Sequence, residues 1–96
     1  MTYGLSFLPA ALWEWKSLDG SLKKQFQAQL QRRLKQPCPT GSELHGPLRG
    51  YYKIKLRKAG YRLVYRVDDA NRKLVVTAVG RRDAAAVYAQ ALKRMT

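Results

Sequence analysis

The sequence predicts an α+β fold of order β-α-α-β-β-β-α, an antiparallel sheet with its helices packed on one face. Apolar residues recur at helical spacing in the first half of the chain, and three segments in the second half alternate apolar with polar residues. The links between these segments are so short that neighbouring strands must be antiparallel. With 96 residues, the chain is expected to form one domain over residues 1–96 around one modest core.

The first half predicts a short strand and a short helix before a longer one. "TYGLSF" alternates roughly and predicts a strand over residues 2–7. Pro9 suits the first turn of a helix over residues 9–17, where its missing N–H has no helical partner to lose. Asp19 or Ser21 can cap the next helix by accepting a hydrogen bond from a free backbone N–H.

The second helix is amphipathic and about four turns long. Pro37 and Pro39 end it, and residues 37–50 are rich in Pro and Gly, which predicts a loop. Its apolar side is a row at spacing i, i+4 made by Leu22, Phe26, Leu30 and Leu34.

A three-stranded meander and a last helix follow. The strands are predicted over residues 51–57, 61–68 and 73–80, with Gly60 in the first turn and "DDAN" as the second. Asp83 is the expected cap of the helix "AAAVYAQALKR".

Charge bounds the possible partners. Lys and Arg total 19 against six acids, a net charge of +13, which implies an anionic partner: nucleic acid, an anionic membrane surface or an acidic protein. No apolar run reaches the ~18–20 residues of a membrane span, and the first residues do not resemble a signal peptide. The single Cys38 fits a reducing compartment. We therefore expect a cytoplasmic protein without a membrane partner.

The predicted hairpin carries its cations on one face. We expect Leu56 beside Leu63 and Arg57 beside Arg62, because a one-residue slip would bury Arg62 and Arg66. No acidic side chain relieves this row, so a bound polyanion explains it better than a solvated sheet face. The expected cationic surface consists of Lys53, Lys55, Arg57, Arg62 and Arg66.

Other cations are expected near the start of the last helix. Arg81 and Arg82 end the third meander strand there, where free helical N–H groups also attract anions. Tyr88 lies one turn further on; taken alone, it is more often a core aromatic than a functional one.

The usual hydrolytic groups are missing from the sequence. His45 is the only histidine, so no histidine pair or Ser/His/Asp site is supported. The six acids fall in helix, cap and turn positions and form no obvious metal cluster. We expect neither a metal site nor a cofactor.

Four segments carry a recognisable pattern, namely "LWEW" in the first helix, "ELHG" in the loop, "YKIKLRKAGYRLVYRV" in the hairpin and "VGRRDAAAVY" at its end. In the same order, these segments resemble the RelE family of toxins from bacterial toxin–antitoxin pairs. The resemblance covers almost the whole chain. It implies an endoribonuclease that cleaves mRNA in the A site of the 70S ribosome without a metal ion.

The resemblance also implies site residues. The family's two active-site lysines fall on Lys53 and Lys55, and its transition-state arginine on Arg62. The arginine proposed as general acid falls on Arg82, and the tyrosine that helps to hold the nucleotide on Tyr88.

Further cations are expected to bind RNA or rRNA, namely Arg57, Arg66, Arg81 and Arg49. His45 departs from the family, which commonly has arginine in this loop.

Chemistry from the residues alone leaves the proton donor open. A neutral lysine at pH 7 costs ~4.6 kcal/mol, and adjacent cations reduce that cost by lowering the lysine pKa. Because arginine holds its proton tightly, it is a poor acid, and its chemistry favours charge stabilisation as the role of Arg62 and Arg82. Proton donation by Arg82 is implied by the resemblance only.

The resemblance implies a cognate RelB-like antitoxin, with operator DNA bound only through the antitoxin complex. Two other functions remain open. One is a ParE-like toxin that targets gyrase, a branch that generally lacks this full residue set. The other is an RNA- or ribosome-binding module without catalysis, which the charge alone supports equally well.

Overall fold

The computed structural model of the chain describes residues 2–81 and 86–94 and has the predicted order of elements. Within these residues no helix combines the length and the apolar character needed to cross a membrane. The elements are β1 (Gly4–Phe7), α1 (Pro9–Lys16), α2 (Gly20–Lys35), a 3-10 turn (Gly46–Leu48), β2 (Tyr51–Leu56), β3 (Tyr61–Asp68), β4 (Lys73–Arg81) and α3 (Ala86–Lys93).

Helix α2 is capped by one of the two residues predicted for that role. The Asp19 carboxylate accepts a hydrogen bond from the backbone N–H of Leu22 at 2.9 Å, so Asp19 rather than Ser21 is the cap. The predicted cap of the last helix, Asp83, lies outside the described residues.

The sheet has the order β1-β4-β3-β2. The predicted antiparallel meander of β2, β3 and β4 is confirmed, but β1 runs parallel to β4, from Gly4 opposite Lys73 to Phe7 opposite Val76. The prediction of a wholly antiparallel sheet is therefore wrong at this edge. Two helices and a loop separate β1 from the meander, and so long a connection permits a parallel pairing.

Helices cover both faces of the sheet, so the prediction that all helices pack on one face is wrong. Residues 74–79 of β4 are buried without interruption, as in a strand with helices on both sides. The core under α1 and α2 contains Phe26, Leu30, Ile54, Leu63, Tyr65 and Val76 among others. The smaller core under α3 consists of Leu48, Val64, Ala78, Val87 and Ala91.

The register of the β2–β3 hairpin differs from the prediction by two residues. Leu56 lies opposite Tyr61 and not Leu63, so the predicted pairing of Arg57 with Arg62 is wrong. A shift of two residues leaves each side chain on its predicted face, because side chains alternate with a period of two.

The turn explains this register. Residues 57–60 form the turn, closed by a hydrogen bond from the Gly60 N–H to the Leu56 carbonyl at 2.8 Å. Gly60 has a φ of 71°, a left-handed conformation that glycine adopts without steric cost. As a result Arg57 leaves the sheet, and Lys55 becomes the direct partner of Arg62.

An ion pair covers the part of β4 that β1 does not reach. Strand β1 pairs with β4 only as far as Val76. Beyond it, the Val79 N–H donates to the Glu14 carboxylate at 3.1 Å, and the Thr77 carbonyl accepts from Arg94 at 2.8 Å. Glu14 and Arg94 bind each other at 2.9 Å. The pair thus supplies the hydrogen bonds that a neighbouring strand would make.

Candidate functional site

The β2–β3 hairpin gathers four cations, Lys53, Lys55, Arg57 and Arg62, which we call the basic cluster. Lys53 and Lys55 extend from the same face of β2, about 6.6–7 Å apart along the strand. Arg62 lies on β3 directly opposite Lys55, and Arg57 follows at the turn. The structure thus brings the predicted lysine pair and the predicted transition-state arginine together.

The charges of the basic cluster change the pKa of Lys55, one of its members. Lys53, the largest influence, and then Arg62 lower the pKa of Lys55 below its ordinary value, with smaller contributions from partial burial and Arg57. Each cation disfavours a further positive charge beside it. Lys55 therefore gives up its proton more readily than an isolated lysine, which is what a general base requires.

Helix α3 brings Tyr88 to the basic cluster. The Arg62 guanidinium donates a hydrogen bond to the Tyr88 hydroxyl at 2.6 Å, and its central carbon is 5.7 Å from the centre of the ring. The ring is half-buried against the core under α3. Tyr88 is thus both a core aromatic and a neighbour of the predicted site, although the sequence suggested one or the other.

A depression of about 210 Å³ adjoins the lysines, and its lining includes a cation that the sequence analysis missed. Arg33 of α2 reaches it from the other side of β2. Its position was detectable, because Phe26, Leu30 and Arg33 follow the spacing i, i+4, i+7 of one helix face. A cation on the core side of an amphipathic helix needs a polar partner. The full lining is Arg33, Gly41, Ser42, Lys53, Lys55 and Arg57.

Larger depressions lie away from the basic cluster. One of about 510 Å³ separates residues 2 and 3 from α2, and another of about 530 Å³ follows residues 35–40. Neither includes a member of the cluster, so we place the site by its charge and geometry.

Arg66 and Arg81, two of the predicted RNA-binding cations, lie apart from the basic cluster. Arg66 is four residues beyond Arg62 on β3, about 13 Å along the strand. There it is one of the groups, after Asn71, that lower the pKa of Asp68. Arg81 places its guanidinium carbon 5.9 Å from the centre of the Tyr61 ring, on the face covered by α1 and α2.

Arg49 and Arg82 complete the predicted set. Arg49 is exposed directly after the 3-10 turn and precedes β2. Arg82, the predicted general acid, lies outside the described residues. Within residues 2–81 and 86–94, no three His, Cys, Asp or Glu side chains form a group that could hold a metal ion.

Comparison with known proteins identifies the family. Residues 5–85 match the family described as ParE toxin of type II toxin-antitoxin system, parDE. The chain is 40% identical over 95 residues to the mRNA interferase toxin RelE of Escherichia coli K12, covering 99% of each chain.

This chain belongs to the RelE toxins of type II toxin–antitoxin systems. The matching family is named after ParE, but the full-length relative is a RelE protein, so the resemblance seen in the sequence is confirmed.

Solved RelE structures share the fold. A mutant of E. coli toxin RelE in the free state superposes with a TM-score of 0.90 at 40% identity, covering 100% of both chains. The toxin of the intact E. coli RelBE toxin–antitoxin complex gives a TM-score of 0.78 at 39% identity, covering 82% of this chain and 95% of that one. The α+β architecture of three helices and a four-stranded sheet is therefore that of the RelE toxins.

Proposed function

We propose that this RelE toxin is an mRNA interferase that cleaves mRNA in the A site of the 70S ribosome and so stops translation. The observation that carries the proposal is Lys55, which has its pKa lowered by Lys53 and lies directly opposite Arg62. The relative from E. coli is named an mRNA interferase. The family resemblance of the sequence implies that the lysine pair and Arg62 are its active-site groups.

The reaction uses the nucleophile that RNA itself carries. Lys55 or Lys53 removes the proton of the 2′-OH, and the 2′ oxygen attacks the adjacent phosphorus. The bond from phosphorus to the 5′ oxygen then breaks, and the leaving oxygen takes up a proton. The products are a 2′,3′-cyclic phosphate and a 5′-OH end. No step requires a metal ion or cofactor.

The remaining residues stabilise charge and hold the nucleotide. Arg62 offers a planar pair of N–H donors to the phosphorane oxygens, where negative charge develops. Tyr88 holds the Arg62 guanidinium and offers a ring to the nucleotide. Arg82 is proposed as the proton donor on the basis of the family resemblance. Arg57, the predicted RNA-binding arginine that lies in the basic cluster, binds the RNA backbone.

The ribosome supplies much of the rate by holding the mRNA in a reactive geometry. Arg49, Arg66 and Arg81, which lie apart from the basic cluster, are proposed to contact rRNA. Their positive charges also speed association with a polyanion.

The partner that restrains the toxin is proposed to be a RelB-like antitoxin. A toxin with 40% identity has been solved in complex with an antitoxin RelB peptide. A net charge of +13 favours an acidic antitoxin segment over the basic cluster. Operator DNA is bound only through that complex, and the cytoplasm is the proposed location.

The decisive experiment maps RNA ends. Purified toxin is added to programmed 70S ribosomes, and new 5′-OH ends in the translated mRNA are sequenced. Ends confined to the A-site codon are expected. Gyrase-dependent DNA breaks with intact mRNA would instead indicate a ParE-like activity. Ribosome binding without new ends would indicate a non-catalytic module.

A further inference from the structure

We infer that Arg33 is a substrate-binding residue, which together with Ser42, Lys53 and Arg57 holds the phosphodiester next to the one that is cleaved. The inference rests on the proposed RNA cleavage and adds a second phosphate site to it. The place is the depression of about 210 Å³ beside Lys55.

Arg33 is fixed before any ligand arrives. One terminal nitrogen, Nη1, donates to the Lys53 carbonyl at 3.1 Å and to the Tyr65 hydroxyl at 2.8 Å. The Tyr65 hydroxyl in turn donates to the Pro37 carbonyl at 2.7 Å. Tyr65 is fully buried, and its ring centre lies 5.8 Å from the Arg33 guanidinium carbon. A guanidinium held in this way loses little entropy when it binds a phosphate.

The rest of this guanidinium has free donors. Among the described residues, Nη1 is the Arg33 nitrogen with protein hydrogen bonds, so Nη2 and Nε have donors available for a ligand. The depression is lined by no acidic side chain. The one acid of the adjoining loop, Glu43, turns its carboxylate to the Gly41 N–H at 3.0 Å. A positive site without a counterion matches a phosphodiester.

The same contacts couple the site to the proposed catalytic lysines. The outer edge of β2 is held at Lys53, whose N–H donates to the Ser42 carbonyl at 3.0 Å and whose carbonyl accepts from Arg33. Arg33 is thus tied directly to the backbone of Lys53. An RNA strand bound at Arg33 is thereby placed in register with Lys53 and Lys55.

Single-turnover cleavage on programmed ribosomes tests the role of Arg33. Arg33→Gln is compared with Arg32→Gln, which removes the same charge from an exposed position of α2. We expect the half-saturating toxin concentration to rise about tenfold in Arg33→Gln only, with little change in the rate at saturation. In Arg33→Gln, the slope of the log association constant against the log salt concentration should become less steep by about one. Arg33→Lys should restore part of the affinity.

A binding measurement on the unaltered toxin separates this inference from the proposed function. A 2′-O-methyl trinucleotide, which has no nucleophile, is titrated while the Arg33 Nε–H and Ser42 amide signals are followed by NMR. Shifts at both signals are expected. If the toxin shows these shifts but never cleaves RNA, the binding site stands and the nuclease proposal fails. If it cleaves RNA, but these signals do not move or Arg33→Gln matches Arg32→Gln, the inference fails alone. A fall in the saturated rate without a change in half-saturation would also overturn it.

Discussion

The Arg62 guanidinium donates a hydrogen bond to the Tyr88 hydroxyl at 2.6 Å and lies over the same ring. This contact joins β3 to α3 across the core under α3. It holds the arginine in one orientation opposite Lys55. Helix α3 therefore takes part in building the site, although Tyr88 is 26 positions from Arg62 in the sequence.

The first prediction concerns this contact. Tyr88→Phe removes the acceptor of Arg62 but keeps the ring, so the fold should be unaffected. We expect the single-turnover cleavage rate to fall about tenfold, the value of one hydrogen bond to a charged group. Tyr51→Phe, which removes a hydroxyl from the same sheet face, serves as the control. A Tyr88→Phe toxin as fast as the control would show that the hydroxyl has no role.

The second prediction concerns the lysine pair. Lys53→Ala combined with Lys55→Ala removes both candidate bases and should abolish cleavage in ribosomes. Both side chains extend from the sheet face away from the larger core, so the circular dichroism spectrum should stay native. Replacing the exposed Lys24 and Lys93 together gives a control with the same loss of charge. Retained A-site cleavage by a folded Lys53/Lys55 double mutant would remove the lysine assignment.

The third prediction is a pH shift. Lys53 is the first cause of the lowered pKa of Lys55, so Lys53→Ala should raise that pKa. If Lys55 is the base, the rising limb of the pH–rate profile moves to higher pH in this variant. An unmoved limb would exclude Lys55 as the base.

Stability should respond to pH through the same group. The folded-state pKa of Lys55 lies below its ordinary 10.5, so the folded chain binds fewer protons than the unfolded chain between these two values. The contribution of Lys55 to the free energy of unfolding therefore rises with pH across that interval. Urea titrations at several alkaline pH values measure it, and the rise should shrink in Lys53→Ala.

The fourth prediction concerns the edge of β4. Glu14→Ala leaves the partly buried Arg94 without its counterion and the Val79 N–H without an acceptor. We expect the free energy of unfolding to fall by about 1–3 kcal/mol, measured by urea denaturation. Lys16→Ala, at the end of the same helix, is the control. Equal stability of the two variants would mean that the ion pair contributes nothing measurable.

The hairpin shows how far sequence reasoning reaches. Alternation correctly assigned Lys53, Lys55 and Arg62 to one face, because a period of two survives a register shift of two. For the same reason alternation could not choose between the predicted register and the observed one. The left-handed Gly60 makes that choice.

Contacts between residues far apart in the chain could not be predicted from the sequence pattern. Arg33 joins the site through hydrogen bonds to Lys53 and Tyr65, which lie 20 and 32 positions further along the chain. The parallel pairing of β1 depends on which edge strand of the folded meander, β2 or β4, is free to accept another strand. In contrast, residues 74–79 of β4 are apolar except for Thr77, and such a nearly continuous apolar run is typical of a strand covered on both faces.

The parallel pairing of β1 with β4 also bears on when the chain can fold during its own synthesis. The first strand gains its hydrogen-bonding partner only after residues 73–76 have emerged, and until then α1 and α2 have no complete sheet to cover. A lone hairpin is marginally stable in water. We therefore expect a nascent or prematurely terminated chain to present its lysines without a complete sheet, and the folded toxin to form only when translation of its message is nearly finished.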